Sequence, residues 1–243
     1  MKALFFVKTV FILSLALLVS SCNDEQADVG IKFTSTYTAA KSTATKSAFM
    51  EGVIIENFRI NVTEIEIEFN DDDPLFDNDS IASDYELEGP YEINLMEEGN
   101  TLESMVVSNI ELPYAAYDEI EFEFEESENS ISDMYGKSML VEGTIHETPF
   151  VFWTDEDIEV EIEFEETVYL DEASQAVLVV SFDITSLFNP LSGGIDISDA
   201  TDANENGIIE IYPDDPDGNS DLADMLIDEI EDIIDAFEDM YDD

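Results

Sequence analysis

The chain has 243 residues, of which 61 are Asp or Glu and only 7 are Lys or Arg, so its formal net charge is −54 at pH 7. Nucleic acid is excluded as a partner because phosphate binding needs basic contacts, and electrostatic attraction to anionic lipid is excluded for the same reason. Hydrophobic residues nevertheless make up 44% of the chain, which predicts a folded core. Cations must screen the charge, either as bulk salt in a saline habitat or as specifically bound divalent ions.

Residues 1–21 predict a secretory signal peptide. A basic start and an apolar run at residues 9–19 are followed by small residues just before Cys22, and the run is too short for a comfortable membrane span. The ending Val19-Ser20-Ser21-Cys22 resembles the lipobox of bacterial lipoproteins. This resemblance implies that Cys22 begins the mature chain and carries a diacylglycerol and an N-linked acyl chain, which together anchor a protein stably. The alternative is an unmodified thiol.

The acidic start of the mature chain, Asn23-Asp24-Glu25, resembles the surface-export signal of Bacteroidetes lipoproteins. The resemblance implies a lipid-anchored protein of the bacterial outer membrane, in the outer (surface) leaflet rather than the periplasmic one. Residues 22–48 are rich in Ser, Thr and Ala, which predicts a tether that lifts the domain off the membrane. The alternative is that residues 29–37 form a first strand.

Three segments alternate strictly between apolar and acidic residues, at positions 65–69, 120–125 and 158–165. This is the period of a β-strand with one face in a core and the other in water. If two of these segments pair in one sheet, like charges lie roughly 5 Å apart, which is destabilising. We therefore expect the segments to be kept apart or to be bridged by cations.

Residues 49–188 predict an all-β domain, an antiparallel β-sandwich, because many short strands alternate there with turn residues. A phase slip at Thr63-Glu64 predicts a β-bulge. The apolar run at residues 176–180 predicts a central strand buried on both faces. The candidate strands are 53–62, 64–69, 85–95, 102–111, 117–125, 138–146, 149–153, 158–165 and 176–184.

Some of these segments resemble a bacterial lipoprotein family of unknown function, the one that carries domain of unknown function 4382. The similar segments, within residues 50–190, are 60–69, 91–95, Leu112-Pro113 with 117–122, and 179–184. The resemblance implies an immunoglobulin- or transthyretin-like sandwich carried on a lipoprotein signal. It implies no activity.

An Asp/Asn/Gly-rich loop at residues 189–219 contains the Asp-x-Asn-x-Asn-Gly spacing of a calcium loop. In such loops alternate side-chain oxygens converge on a hard cation, Gly permits the turn, and a backbone carbonyl adds a ligand. The twelfth position is Pro213 rather than Glu, and Asp214, Asp215 or Asp217 could supply the last carboxylate in its place. The predicted calcium ligands are Asp202, Asn204, Asn206, Ile208 through its carbonyl, Glu210 and Asp214. The alternative is a solvated acidic turn.

Residues 220–243 predict a C-terminal amphipathic helix. Apolar residues recur there at three- and four-residue steps, and the other face is acidic without a single Lys. Because propensity alone would not hold such a helix, its apolar stripe must dock on the sheet or on a partner. A second acidic cluster, at residues 71–79, lacks the Gly and the regular spacing of a calcium loop.

The sequence offers few parts for catalysis. His146 is the only histidine and Cys22 the only cysteine, so a nucleophilic triad and a His/Cys zinc site are not expected. We predict no enzyme, but a lipid-anchored, non-catalytic cell-envelope protein, a calcium-stabilised binding or adhesion module for an extracellular glycan or protein. The alternatives are a salt-adapted structural surface lipoprotein and, more remotely, an envelope glycosidase that uses paired carboxylates. Trp153 is either a core residue or a sugar-stacking platform.

Overall fold

A computed structural model describes residues 26–38, 52–70, 84–170 and 175–235. The predicted signal peptide, Cys22 and the acidic cluster at residues 71–79 lie outside the described residues. The strands are β1 (Gln26–Thr36), β2 (Val53–Phe69), β3 (Tyr85–Glu97), β4 (Asn100–Thr101), β5 (Glu103–Pro113), β6 (Ala116–Phe124), β7 (Met139–Ile145), β8 (Thr148–Thr154), β9 (Ile158–Tyr169), β10 (Gln175–Asp183) and β11 (Ile209–Ile211). The helices are α1 (Ile184–Leu187) and α2 (Ser220–Asp235).

Two sheets pack against each other, so the predicted all-β sandwich is confirmed. The smaller sheet has the order β10-β1-β5, in which β1 is parallel to β10 and antiparallel to β5. The larger sheet has the order β11-β8-β7-β2-β3-β4, with β6 paired to β2 and β9 paired to β6. The inner faces of both sheets form one apolar core, as expected for strands that alternate between apolar and polar residues.

The long strand β2 holds the larger sheet together. On one edge it pairs with β3, and on the other it pairs first with β7 and then with β6. Its register shifts between Val62 and Glu64 against both β3 and β6, which confirms the predicted bulge. The bulge changes which residues face inward, so both halves of β2 present apolar side chains to the core.

The predicted tether is wrong for residues 26–36, because this segment is β1, the central strand of the smaller sheet. The alternative strand at residues 29–37 is the better description. Ala27, Val29, Ile31 and Phe33 are at most 2% exposed. These residues alternate with Asp, Lys and Thr, and the high Ser/Thr content of the surrounding segment masked their two-residue period.

The prediction that residues 176–180 form a central strand is also wrong. They belong to β10, an edge strand that pairs with β1 alone in the smaller sheet. Val180 and Phe182 face the core, whereas Val177 is 50% exposed. An uninterrupted apolar run therefore does not distinguish a strand buried on both faces from an edge strand whose outer face is only partly covered.

Helix α2 docks on the sandwich, in agreement with its predicted apolar stripe. Ala223, Leu226, Ile227 and Ile230 are at most 5% exposed, and the helix contacts β8, β9, β10 and β11. Residues 236–243 of the predicted helix lie outside the described residues. No helix in the described ranges has the length and apolar character needed to cross a membrane.

We expect Phe33→Ala to lower the free energy of unfolding by about 3–5 kcal/mol. The ring is fully buried, with its centroid 5.1 Å from that of Phe122 and 6.0 Å from that of Phe182. Thr36→Ala, at the exposed end of the same strand, is the control and should change stability by less than about 0.5 kcal/mol. Urea unfolding followed by circular dichroism measures both. Equal, small effects would mean that β1 is a tether after all.

Candidate cation sites

The Asp-x-Asn-x-Asn-Gly motif folds into a turn held by its own side chains. One carboxylate oxygen of Asp202 accepts the N–H of Asn206 at 3.0 Å, and the other accepts the N–H of Gly207 at 2.8 Å. Gly207 has φ +91°, a conformation that side-chain-bearing residues rarely adopt. The glycine is therefore needed for this turn, as the motif predicts.

The two asparagines of the motif donate hydrogen bonds to the same acidic residue, Glu210. The side-chain amides of Asn204 and Asn206 donate to one carboxylate oxygen of Glu210, at 2.8 and 2.9 Å. Their own oxygens accept the N–H groups of Asn206 and Ile208. Four of the predicted ligand residues thus meet in a single hydrogen-bonded loop.

The structure brings Asp217 into this loop in place of Asp214. Asp217 is 6% exposed, and its carboxylate accepts the N–H groups of Asn204 and Glu210, both at 2.9 Å. Asp214 instead lies on an exposed turn with φ +58°. Because the chain turns again after Pro213, sequence spacing alone did not identify which carboxylate returns. We therefore replace Asp214 by Asp217 in the candidate ligand set.

The loop is tied to the fold on both sides. Ile209 is buried in β11, which pairs in parallel with β8, whereas the side chain of Ile208 is 43% exposed. Asn219, at the start of α2, donates its amide to the carbonyls of Thr201 and Glu210. A change in this loop is consequently transmitted to an edge of the larger sheet and to the docked helix.

Asp215, one of the three acids that could supply the last carboxylate, lies in the same loop and is only partly hydrogen-bonded. One carboxylate oxygen accepts the N–H groups of Asp217 and Asn219, at 2.8 and 3.0 Å. The other oxygen is buried and has no hydrogen-bond partner among the described residues. An unpaired buried carboxylate oxygen is costly unless a proton or a cation reaches it.

An aromatic pair links the loop to the body of the sandwich. The hydroxyl of Tyr212 donates to Glu210 at 2.6 Å, and its ring stacks on Trp153 with 4.7 Å between centroids. Burial, together with this hydrogen bond, raises the pKa of Tyr212 to about 12. Trp153 is half-buried, and the Nζ of Lys137 lies 5.8 Å from the centroid of its ring. Trp153 is thus neither fully in the core nor freely exposed.

The second candidate is the outer surface of the larger sheet, where the alternating segments pair with each other. Across β3, β2, β6 and β9, glutamates stand in register, so that one row runs Glu88, Glu64, Glu123 and Glu159. The sequence predicted that these segments are either kept apart or bridged by cations. The structure pairs them side by side, so they are not kept apart. We call this surface the acidic face: Glu64, Glu66, Glu68, Glu86, Glu88, Glu119, Glu121, Glu123, Glu159, Glu161 and Glu163.

Two groups on the acidic face bring carboxylates close enough to share a cation. Carboxylate oxygens of Glu66, Glu68 and Glu121 lie within 4.8 Å of one another. The same is true of oxygens from Glu119, Glu161 and Glu163. Oxygen atoms at such spacing suit a hard cation such as Ca²⁺, and at this spacing neighbouring carboxylates also favour each other's protonation.

Protonation of the acidic face is easier than that of ordinary glutamates. Partial burial, reinforced by repulsion from neighbouring carboxylates, raises the pKa of Glu119 and of Glu121 from 4.5 to about 7. The same causes raise the pKa values of Glu64, Glu66, Glu68 and Glu123. The face therefore carries fewer charges near neutral pH than its composition implies.

We expect the free energy of unfolding to fall as the pH rises from about 4.5 to about 7. Between these values the folded protein binds more protons than the unfolded chain, because the pKa values of Glu119 and Glu121 are raised on folding. The double variant Glu119→Gln/Glu121→Gln should be more stable than the parent above this window and should depend less on pH. Urea unfolding across the window, at constant ionic strength, measures this.

The exposed Glu128→Gln serves as the control for that pH series, because Glu128 lies outside the acidic face. It removes one negative charge without touching the paired rows and should keep the parent's slope. A parent protein whose stability rises through this window would contradict the electrostatic description of the face.

Comparisons of the chain with protein-family models, with curated proteins and with solved structures each return no match. The resemblance to the lipoprotein family of unknown function therefore stays a prediction.

Proposed function

We propose that this chain is a lipid-anchored, non-catalytic cell-envelope protein whose sandwich is stabilised by calcium bound in the loop at residues 201–219. One observation carries the proposal, the convergence of Asp202, Asn204, Asn206, Glu210 and Asp217 in one hydrogen-bonded loop. Carboxylate and amide oxygens with a backbone carbonyl, here that of Ile208, form the ligand set that Ca²⁺ prefers.

Calcium would also explain the electrostatics of the loop. Glu210 is approached by two amide groups and a hydroxyl, which are neutral donors. Asp217 is buried, and one oxygen of Asp215 has no hydrogen-bond partner among the described residues. A divalent cation supplies the positive charge that buried carboxylates need, and the chain has no Lys or Arg after Lys137 to supply it.

The proposed role of the ion is to fix the C-terminal part of the chain. The loop follows the core segment that ends near Ala200, contains β11 and leads into α2. Binding to the folded loop stabilises the native state by mass action, so calcium would hold β11 against β8 and α2 against the sandwich. A module stiffened in this way suits binding or adhesion to an extracellular glycan or protein.

The anchor in this proposal is the lipid on Cys22, as the lipobox resemblance implies, and the location is the bacterial outer membrane, in its surface leaflet. The acidic face favours a second candidate, a salt-adapted structural surface protein without a specific ligand, because its rows of glutamates are screened by cations of any kind. The acidic face does not favour a glycosidase, since that chemistry needs two carboxylates facing across a substrate and its glutamates lie side by side on the outer surface of the sheet.

We expect calcium to raise the melting temperature of a Cys22→Ser form made without residues 1–21. At calcium concentrations of ten to a hundred times Kd, binding to the folded state adds about 1.4–2.7 kcal/mol, which is roughly 3–10 °C for a domain of this size. The rise should saturate, and sodium chloride of matched ionic strength should not reproduce it. Fluorescence of Trp153, the only tryptophan, should follow the same titration through its stack on Tyr212.

Three isosteric variants separate the loop from general screening. Asp202→Asn and Asp217→Asn should abolish the saturable rise, because each removes a proposed ligand charge. Asp214→Asn removes the same charge from an exposed turn outside the candidate ligand set, and should keep the rise. A rise that depends only on ionic strength in all four proteins would reject the calcium loop and favour salt adaptation.

A further inference from the structure

Strand β1 begins only four positions after Cys22, because its first residue is Gln26. Four residues span at most about 14 Å when fully extended. The link between Cys22 and β1 is therefore far shorter than the predicted tether, which would extend to residue 48. If the acyl chains on Cys22 are inserted in a membrane, the first residue of β1 is held close to the lipid head groups.

We infer that the end of the sandwich at Gln26 rests directly on the lipid head groups, which fixes the orientation of the domain on the membrane. The inference rests on the acylation of Cys22 proposed above. It concerns a surface of the fold, which we call the anchor end and define as Gln26, Pro113, Tyr114 and Tyr169.

The strand register brings these residues to the same end. Gln26 pairs with Pro113, the last residue of β5. The next strand, β6, begins at Ala116, which pairs with Tyr169 at the end of β9. Residue 70, just after β2, donates its backbone N–H to the carbonyl of Ala116 at 3.0 Å. One surface of the sandwich is therefore formed by the ends of β2, β5 and β9 together with the starts of β1 and β6.

The chemistry of the anchor end suits a membrane interface. Tyr169 is 74% exposed, and Pro113 and Tyr114 are half-buried. Tyrosine is enriched at the level of the lipid head groups, where its ring meets the apolar region and its hydroxyl stays hydrated. The short link from Cys22 reaches only this end of the sandwich. The large exposed side chain of Tyr169 is placed there to contact the lipid head groups.

Charge does not hold this end on the membrane. Asp28 and Glu111 are register partners near the anchor end, and both are exposed. They repel anionic head groups over about 8 Å at physiological ionic strength. The contact therefore depends on the covalent lipid and the short link, so the unacylated domain should not bind vesicles on its own.

The orientation leaves the loop at residues 201–219 on the far half of the molecule. β11 pairs with β8, β8 with β7, and β7 with the first half of β2, from Val53 to Ile60. The anchor end lies at the other end of β2, beyond Phe69. The proposed calcium loop is thus displayed away from the lipid, where an extracellular ligand can reach it.

The test uses the acylated full chain, reconstituted in vesicles of phosphatidylethanolamine and phosphatidylglycerol. Tyr169→Cys and Ile54→Cys place a fluorescent label at the anchor end or near the start of β2, at positions 74% and 50% exposed. These positions are up to about 50 Å apart along extended strands. A nitroxide quencher attached to the lipid head group should quench the label at position 169 several-fold more than the label at position 54.

A Gly/Ser spacer of about a dozen residues, inserted between Glu25 and Gln26, is the control, because a flexible link of that length lets the domain leave the surface and rotate. The difference between the two labels should then largely disappear. Equal quenching at the two positions in the protein without the spacer would overturn the inference.

Mass spectrometry of the N-terminal peptide separates this outcome from failure of the proposed anchor. Acylated Cys22 with equal quenching rejects the orientation and keeps the anchor. Unmodified Cys22 rejects both. Melting curves of the two labelled proteins, compared with that of the parent, show that each label leaves the sandwich folded.

Discussion

On the outer side of β2, β6 and β9, glutamates stand beside glutamates, while on the inner side of the same strands Ile and Phe fill the core. Like charges opposite each other in a sheet are destabilising, by roughly 0.2–1 kcal/mol for each pair. Fully burying an Ile or Phe side chain contributes about 1.5–3 kcal/mol. The free energy gained by burying the apolar side chains therefore exceeds the cost of repulsion between paired glutamates. The same two-residue period produces both the rows of glutamates and the apolar core.

The protein has little internal means of neutralising this charge. In the ranges that the structure covers, the basic residues are Lys32, Arg59 and Lys137. Lys32 pairs with Glu103, and Arg59 with Asp133 and Glu142, whereas Lys137 donates to backbone carbonyls. Compensation must come from protons and cations of the medium. The raised pKa values on the acidic face are the first route, and the proposed calcium loop is the second.

Much of this architecture could be predicted from the sequence because it is periodic. Alternation located most strands, a phase slip located the bulge in β2, and a helical stripe located α2. The pairing of strands was not predictable from the sequence. The two-residue period shows which face of the sheet Glu121 occupies, but it does not show that Glu66 and Glu161 lie on either side of it. β1 was predicted only as an alternative to the tether, because its short apolar alternation lies in a Ser/Thr-rich segment. Asp217 was missed as the favoured carboxylate because a turn, rather than fixed spacing, brings it back.

Hydrogen–deuterium exchange with and without calcium, at constant ionic strength, tests the calcium loop within the whole fold. Bound calcium should slow exchange of the amides donated to Asp202 and Asp217, of β11 and of the first turns of α2, and should leave β6 and β9 nearly unchanged. Protection spread evenly over the sandwich, or reproduced by sodium chloride alone, would contradict a specific calcium site and leave the acidic face as the principal place where cations act.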